Sequence, residues 1–141
     1  MTMANVIYDS FTDDIFNQRF NITSATLYGM LVADSYTPSK GSHAKRSDVT
    51  GEVAGTGYTA GGAATTVTVA KDTTNHKQTL SFANILWTTS SITARGVVVY
   101  NHRGGLASAD ELVCAGTFGA DVATSASTFT AVNTVALTYQ N

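Results

Sequence analysis

The sequence predicts a mainly β protein, an antiparallel β-sandwich of jelly-roll-like type with one short N-terminal helix. Three observations carry that expectation. Short runs of β-branched and aromatic residues recur at regular spacing from Thr23 to Tyr139. A single stretch, beginning at Tyr8, places apolar residues at helical spacing. Charged residues make up only 13% of the chain, against about 25% in an average domain, and threonine, serine, alanine and glycine take their place.

The elements follow in order. Tyr8, Phe11 and Ile15 share one face, with Asp9, Asp13 and Asp14 on the other, which predicts a helix over about 8–18. Ser10 is the expected N-cap, with Asp13 three residues on. Thr23 to Ala33 reads as a strand buried on both faces, and Pro38 marks a turn after it. Thr65 to Ala70 alternates threonine and valine as a half-buried strand, and the polar Lys71–Lys77 stretch turns it into a hairpin. Leu80, Phe82, Ile85 and Trp87 read as one strand whose alternation slips near Asn84, the signature of a β-bulge. Ile92–Tyr100 is the clearest strand, followed by a turn at Asn101–Gly105. Leu112–Phe118, Ser127–Val132 and Asn133–Tyr139 complete the set. At 141 residues, with no composition break or repeat, residues 1–141 form one domain.

Composition narrows the function. Eight basic and ten acidic residues give a net charge of −2, too little for electrostatic capture of nucleic acid or an anionic membrane. The lone cysteine, Cys114, lies in an apolar run and is expected to pack as a small hydrophobe. The N-terminus lacks the basic-then-apolar pattern of a signal peptide, and no apolar run is long enough to span a bilayer, so a soluble protein made in the cytoplasm is expected. Asn21-Ile22-Thr23 matches a glycosylation acceptor by chance in such a chain.

The segment with the most to say runs from Asp48 to Gly62 and holds five of the twelve glycines with the acidic pair Asp48 and Glu52. Gly55-Thr56-Gly57-Tyr58-Thr59-Ala60 fits a loose dinucleotide fingerprint, but that motif needs a following helix whose N-terminus holds the pyrophosphate. Strand sequence follows instead, and no Gly-Lys-Ser/Thr is present to make a P-loop. A shaped loop laid against another surface is the remaining reading. Gly55, Gly57, Gly61 and Gly62 would then allow close backbone approach, and Tyr58 would touch a partner.

No catalytic or metal constellation emerges, and no cofactor is expected. His43, His76 and His102 stand apart in turns without a partner at ligand spacing, and His76 and His102 read as exposed. No G-x-S-x-G elbow anchors a serine nucleophile. The apolar neighbours of Cys114 would raise its thiol pKa rather than activate it. Asp13-Asp14 reads as a solvated helix face. Trp87 reads as core, continuing the Leu80/Phe82/Ile85 series. Arg95 interrupts an apolar strand, and either points to solvent from an outer face or pairs with a buried carboxylate at a subunit contact.

Ser35-Tyr36-Thr37-Pro38, Asp48-Val49-Thr50, Glu52-Val53, the block Gly55–Gly62, Trp87 and Ile92-Thr93-Ala94-Arg95 occur in that order behind a Tyr-Asp-Ser-Phe helix. In this the chain resembles a group of small structural proteins encoded by tailed bacteriophages, over about Tyr8 to Tyr139. The His102–Asp110 region and the Lys45-Arg46 pair depart from the pattern. The resemblance implies a non-enzymatic virion protein on the capsid surface: a cement or decoration protein that bridges major capsid protein subunits and self-associates as a dimer or trimer. It also leaves room for a tail or fibre component that binds a host glycan. A small enzyme acting on cell-wall sugars through Asp13 or Asp14 is the third reading.

Overall fold

The computed structural model describes residues 5–132 and 137–140. Among these the chain is mainly β and antiparallel, in a sandwich-like arrangement with one α-helix. The first layer is a five-stranded sheet. In spatial order it comprises β1 (Val6–Ile7), β8 (Leu112–Ala123), β7 (Thr93–Asn101), β2 (Leu27–Val32) and β3 (Ala63–Thr65). The second layer is two ribbons: β10 (Leu137–Gln140), β5 (Lys77–Phe82) and β4 (Val67–Asp72) in one, β6 (Ile85–Ser90) and β9 (Ser127–Ala131) in the other.

Alternation along β2 and β7 buries both faces of the large sheet. Leu31, Ala94 and Val97 pack with Ile85, Trp87 and Phe129 of the two-stranded ribbon, and Leu27 and Val99 pack with Phe82 and Leu137. Met30, Val32, Val98 and Tyr100 point the other way, onto Tyr8, Tyr36 and Leu112. That second face is covered by irregular chain around Tyr36 and Val49. It is closed by a buried relay in which the Tyr8 and Tyr36 hydroxyls lie 2.7 Å apart and the Tyr36 hydroxyl lies 3.0 Å from His43 Nδ1.

The helix α1 spans Asp9–Phe16 and buries Phe11 against the core. Tyr8 occupies the N-cap position, and the predicted cap Ser10 makes no such bond: its hydroxyl is buried without a partner. Gln18, at φ 55°, ends the helix by turning left-handed. The expected Thr23–Ala33 strand is trimmed to β2. The Asn21 side chain accepts from the Thr23 N–H and hydroxyl at 3.0 and 2.7 Å, and such local side-chain bonds compete with strand formation.

The slip near Asn84 is not a bulge. β5 and β6 are separate strands in different ribbons, and the chain changes sheet at Ala83–Asn84. The Thr65–Ala70 strand divides in the same way, with Thr66 between β3 and β4. The two crossings are tied together, since the Thr65 hydroxyl donates to the Ala83 carbonyl at 2.7 Å and the Ala83 N–H donates to the Thr66 carbonyl at 2.9 Å. β8 runs longer than expected because it bulges opposite Arg95: Ala94 pairs with Val122 but Gly96 with Thr117. Of the strand expected over Asn133–Tyr139, residues 133–136 lie outside the described residues.

Candidate functional site

The Asp48–Gly62 arm is laid against the chain's own sheet. β3 covers the edge of β2 only at Leu27–Gly29, which leaves Met30–Val32 to be paired by something else. The arm does this. Ala33 N–H donates to the Gly51 carbonyl at 2.8 Å and Val53 N–H to the Leu31 carbonyl at 3.0 Å. The remaining Leu31 N–H donates to the Tyr58 hydroxyl at 3.0 Å. An edge that would otherwise present unpaired backbone is thereby closed.

Both acids of the arm act as pins. The Tyr58 hydroxyl donates to Glu52 Oε1 at 2.8 Å, and Gly61 N–H donates to the same oxygen. The Tyr100 hydroxyl, from β7, donates to the Gly61 carbonyl. Asp48 Oδ2 accepts the Ala44 and Lys45 N–H groups, each at 2.9 Å, and these bonds hold its carboxyl below the usual range. Burial, reinforced by the Glu52 carboxylate, pushes the Tyr58 hydroxyl far above its ordinary value.

Each expected contact residue can now be placed. Tyr58 is half-buried, and its ring lies 5.6 Å from that of Trp87 with its hydroxyl turned inward. A side chain at Gly55 would strike the Ser91 carbonyl, and one at Gly57 would come within 2.9 Å of Ser90 Cα. Gly62, at φ 83°, lies against the Gly29 carbonyl. Gly61, at φ 92°, carries the bonds to Glu52 and Tyr100. The arm's glycines therefore answer to intrachain approach. Arg95 is satisfied within the chain, with Nε 2.8 Å from Asp121 Oδ1 in the β8 bulge and Nη1 3.4 Å from Asp34.

What the arm shows outward is Ala54 to Gly57 with Thr59 and Ala60, all exposed and uncharged. Beside its base lies a shallow open depression of about 400 Å³, lined by Ala33, Val53, Ala54, Ser91, Ile92 and Thr93 among others. Ridge and depression together form a continuous neutral surface of small side chains held in one shape from beneath.

The charged residues at the far end of the large sheet are tied into the scaffold. Asp110 is fully buried; it accepts Arg46 Nε at 2.7 Å and the Arg103 N–H at 2.9 Å. Buried Glu111 takes the Arg103 guanidinium as a fork at 2.6–3.0 Å, with Asn101 Nδ2 at 3.0 Å. Arg46 is thus turned inward, while the more exposed Lys45 places its Nζ 3.9 Å from Glu111 Oε1. Arg46 also lies 5.2 Å from the centre of the Tyr100 ring. His76 is exposed as expected, but His102 is half-buried and stacks on Tyr28 at 4.1 Å. Asp14 is buried rather than solvated, with Arg19 at 2.6 Å, while Asp13 is exposed. Cys114 is fully buried and its thiol is pushed up to about 12 by burial. Among the described residues no group of three or more His, Cys, Asp or Glu is placed to hold a metal ion, and no helix is long and apolar enough to cross a membrane. No protein-family model, curated protein or solved structure matches this chain.

Proposed function

We propose that the protein is a non-enzymatic structural component of a tailed-phage particle, a capsid cement or decoration protein that contacts the major capsid protein through the outer side of the Asp48–Gly62 arm. The observation that carries this reading is the arm itself. Its Glu52, Tyr58 and Asp48 groups are spent on fixing its shape, so its exposed part is a preorganised, uncharged ridge. Rigid, neutral surfaces of this kind gain affinity by avoiding ordering cost on binding. The sequence resemblance described above supplies the virion context.

A fibre component binding a glycan would need aromatics free to stack on a sugar, and beside the arm Trp87 is 6% exposed with Tyr58 resting against it. A few copies per particle, confined to tails, would favour that reading. The test is quantitative mass spectrometry of separated heads and tails, combined with rebinding of the purified protein to heads that lack it. A head copy number comparable with that of the major capsid protein is expected, with rebinding lost on Thr56→Arg or Ala60→Arg. Absence from heads overturns the proposal.

A further inference from the structure

Among the described residues, the three-stranded ribbon leaves an apolar face open. On its inner side Phe82, Leu80 and Leu137 reach the core, yet Tyr139, two residues along β10 on the same face, is 71% exposed. Facing it, the last residue of α1, Phe16, is also 71% exposed. Between them lies a groove of about 290 Å³ lined by Phe11, Ile15, Phe16, Leu80, Leu137 and Tyr139 among others, with no charged residue in its walls.

β10 forms one wall and, among the described residues, is an edge strand. Sheet edges in natural proteins are defended by lysine, proline, bulges or brevity. The edge of β2 is covered by the arm, β1 has only two residues, and β4 carries exposed Lys71. Leu137-Thr138-Tyr139-Gln140 carries no lysine or proline and pairs with β5 in unbroken register.

We propose that this face is the contact between two copies of the chain related by a two-fold axis. β10 of one copy pairs antiparallel with β10 of the other, joining the ribbons into one six-stranded sheet. Phe16 and Tyr139 of each copy then cover the groove of its partner. Three properties select a second copy as the occupant. A two-fold contact sets a surface against itself, so like charges would oppose each other, and these walls carry none. The face offers protruding aromatics and a recess together, as self-complementarity requires. An antiparallel edge is matched by its own copy, whereas a lipid or a docked helix would leave its backbone groups unmet. The inference extends the virion reading but stands on the groove alone.

Sedimentation equilibrium of the full chain tests it. An apparent mass rising with concentration to twice 14.7 kDa is expected. Phe16→Glu and Tyr139→Glu, made separately, should each weaken the dimer roughly tenfold or more, as loss of an interface aromatic does. Leu106→Glu, at a 78% exposed position in the loop between β7 and β8, should leave it unchanged. All three positions are exposed, so retained circular dichroism and Tm separate dissociation from misfolding. A monomer at every concentration overturns the proposal, as does an oligomer indifferent to both aromatic variants or equally broken by Leu106→Glu. A monomer that still occupies phage heads would sink this inference and leave the proposed function standing. A dimer missing from heads would do the reverse.

Discussion

Tyr58 and Glu52 form the latch of the arm: the phenol donates to the carboxylate at 2.8 Å while accepting the Leu31 N–H at 3.0 Å. The hydroxyl thus joins an edge backbone group of β2 to the Glu52 carboxylate of the arm. Tyr58→Phe removes both bonds and leaves the Leu31 N–H without its partner, at an expected cost of about 1–3 kcal/mol. Glu52→Gln keeps an acceptor oxygen and should cost less, whereas Glu52→Ala removes it. A double-mutant cycle between Tyr58→Phe and Glu52→Ala in urea should give a coupling of about 1 kcal/mol. Strictly additive costs would mean that the two side chains do not act on each other. Amide exchange over residues 53–62 should quicken in both single variants before the rest of the sheet opens.

Gly62 and Gly104 separate two reasons for a glycine. Their φ values are 83° and 82°, so an alanine is strained at both. At Gly104 nothing lies within 4 Å of the added carbon, whereas at Gly62 it would collide with the Gly29 carbonyl of β2. Gly104→Ala should therefore cost about 1 kcal/mol, the price of left-handed backbone alone. Gly62→Ala should cost about 3 kcal/mol or more, because β2 must move. Thermal unfolding of the two variants makes the comparison, and equal shifts in Tm would show that close packing at Gly62 is unimportant.

The sequence made visible what alternates and hid what changes partners. β4 announces itself by its valine–threonine alternation and β7 by its run of valines, because each remains in one sheet. The crossings at Thr66 and Ala83 were concealed, since leaving one sheet for another interrupts periodicity in the same way as a bulge. Tyr58 looked outward because a lone aromatic among glycines resembles a contact residue. The contrary sign was a hydroxyl six residues after a carboxylate in a segment short of charge. The buried roles of Asp110 and Glu111 leave no local pattern in the sequence: Arg46, which Asp110 accepts, lies 64 residues away.

Arg103 is expected to matter through the carboxylate it covers. Glu111 is 3% exposed. Its burial alone would raise the carboxyl, but the Arg103 fork and the Asn101 amide hold it below its ordinary value of 4.5. Arg103→Met removes the close fork and leaves the buried acid facing Lys45 Nζ at 3.9 Å, which should cost about 3 kcal/mol near neutral pH, and adding Glu111→Gln should recover part of it. The pH dependence gives the sharper signature. A depressed carboxyl contributes stability that is present above about pH 4.5 and lost as pH falls through the folded value. In Arg103→Met burial dominates, so the sign reverses and acid should narrow the gap to the parent chain. A gap that stays constant from pH 7 to about pH 4 would separate Arg103 from Glu111.

Alkali should unfold this protein well before it disturbs an ordinary β domain. Burial pushes the Cys114 thiol up to about 12 from 9.0, and the Tyr100 hydroxyl up to about 12 from 10.0. Burial also raises Tyr8, Tyr36 and Tyr58. All five groups keep their protons in the folded state where the unfolded chain releases them. Their contribution is therefore fully present below the unfolded values of 9.0 and 10.0 and declines as pH rises above them. Tm should be flat from neutral pH to about pH 9 and then fall steeply. Tyrosinate absorbance from Tyr8, Tyr36, Tyr58 and Tyr100 should appear together with loss of the β-sheet signal. Cys114 should likewise stay silent to a thiol reagent until that transition. Phenolate from several tyrosines in a chain that keeps its native spectrum would contradict the inward placement of Tyr8, Tyr58 and Tyr100, on which the closed relay and the pinned arm depend.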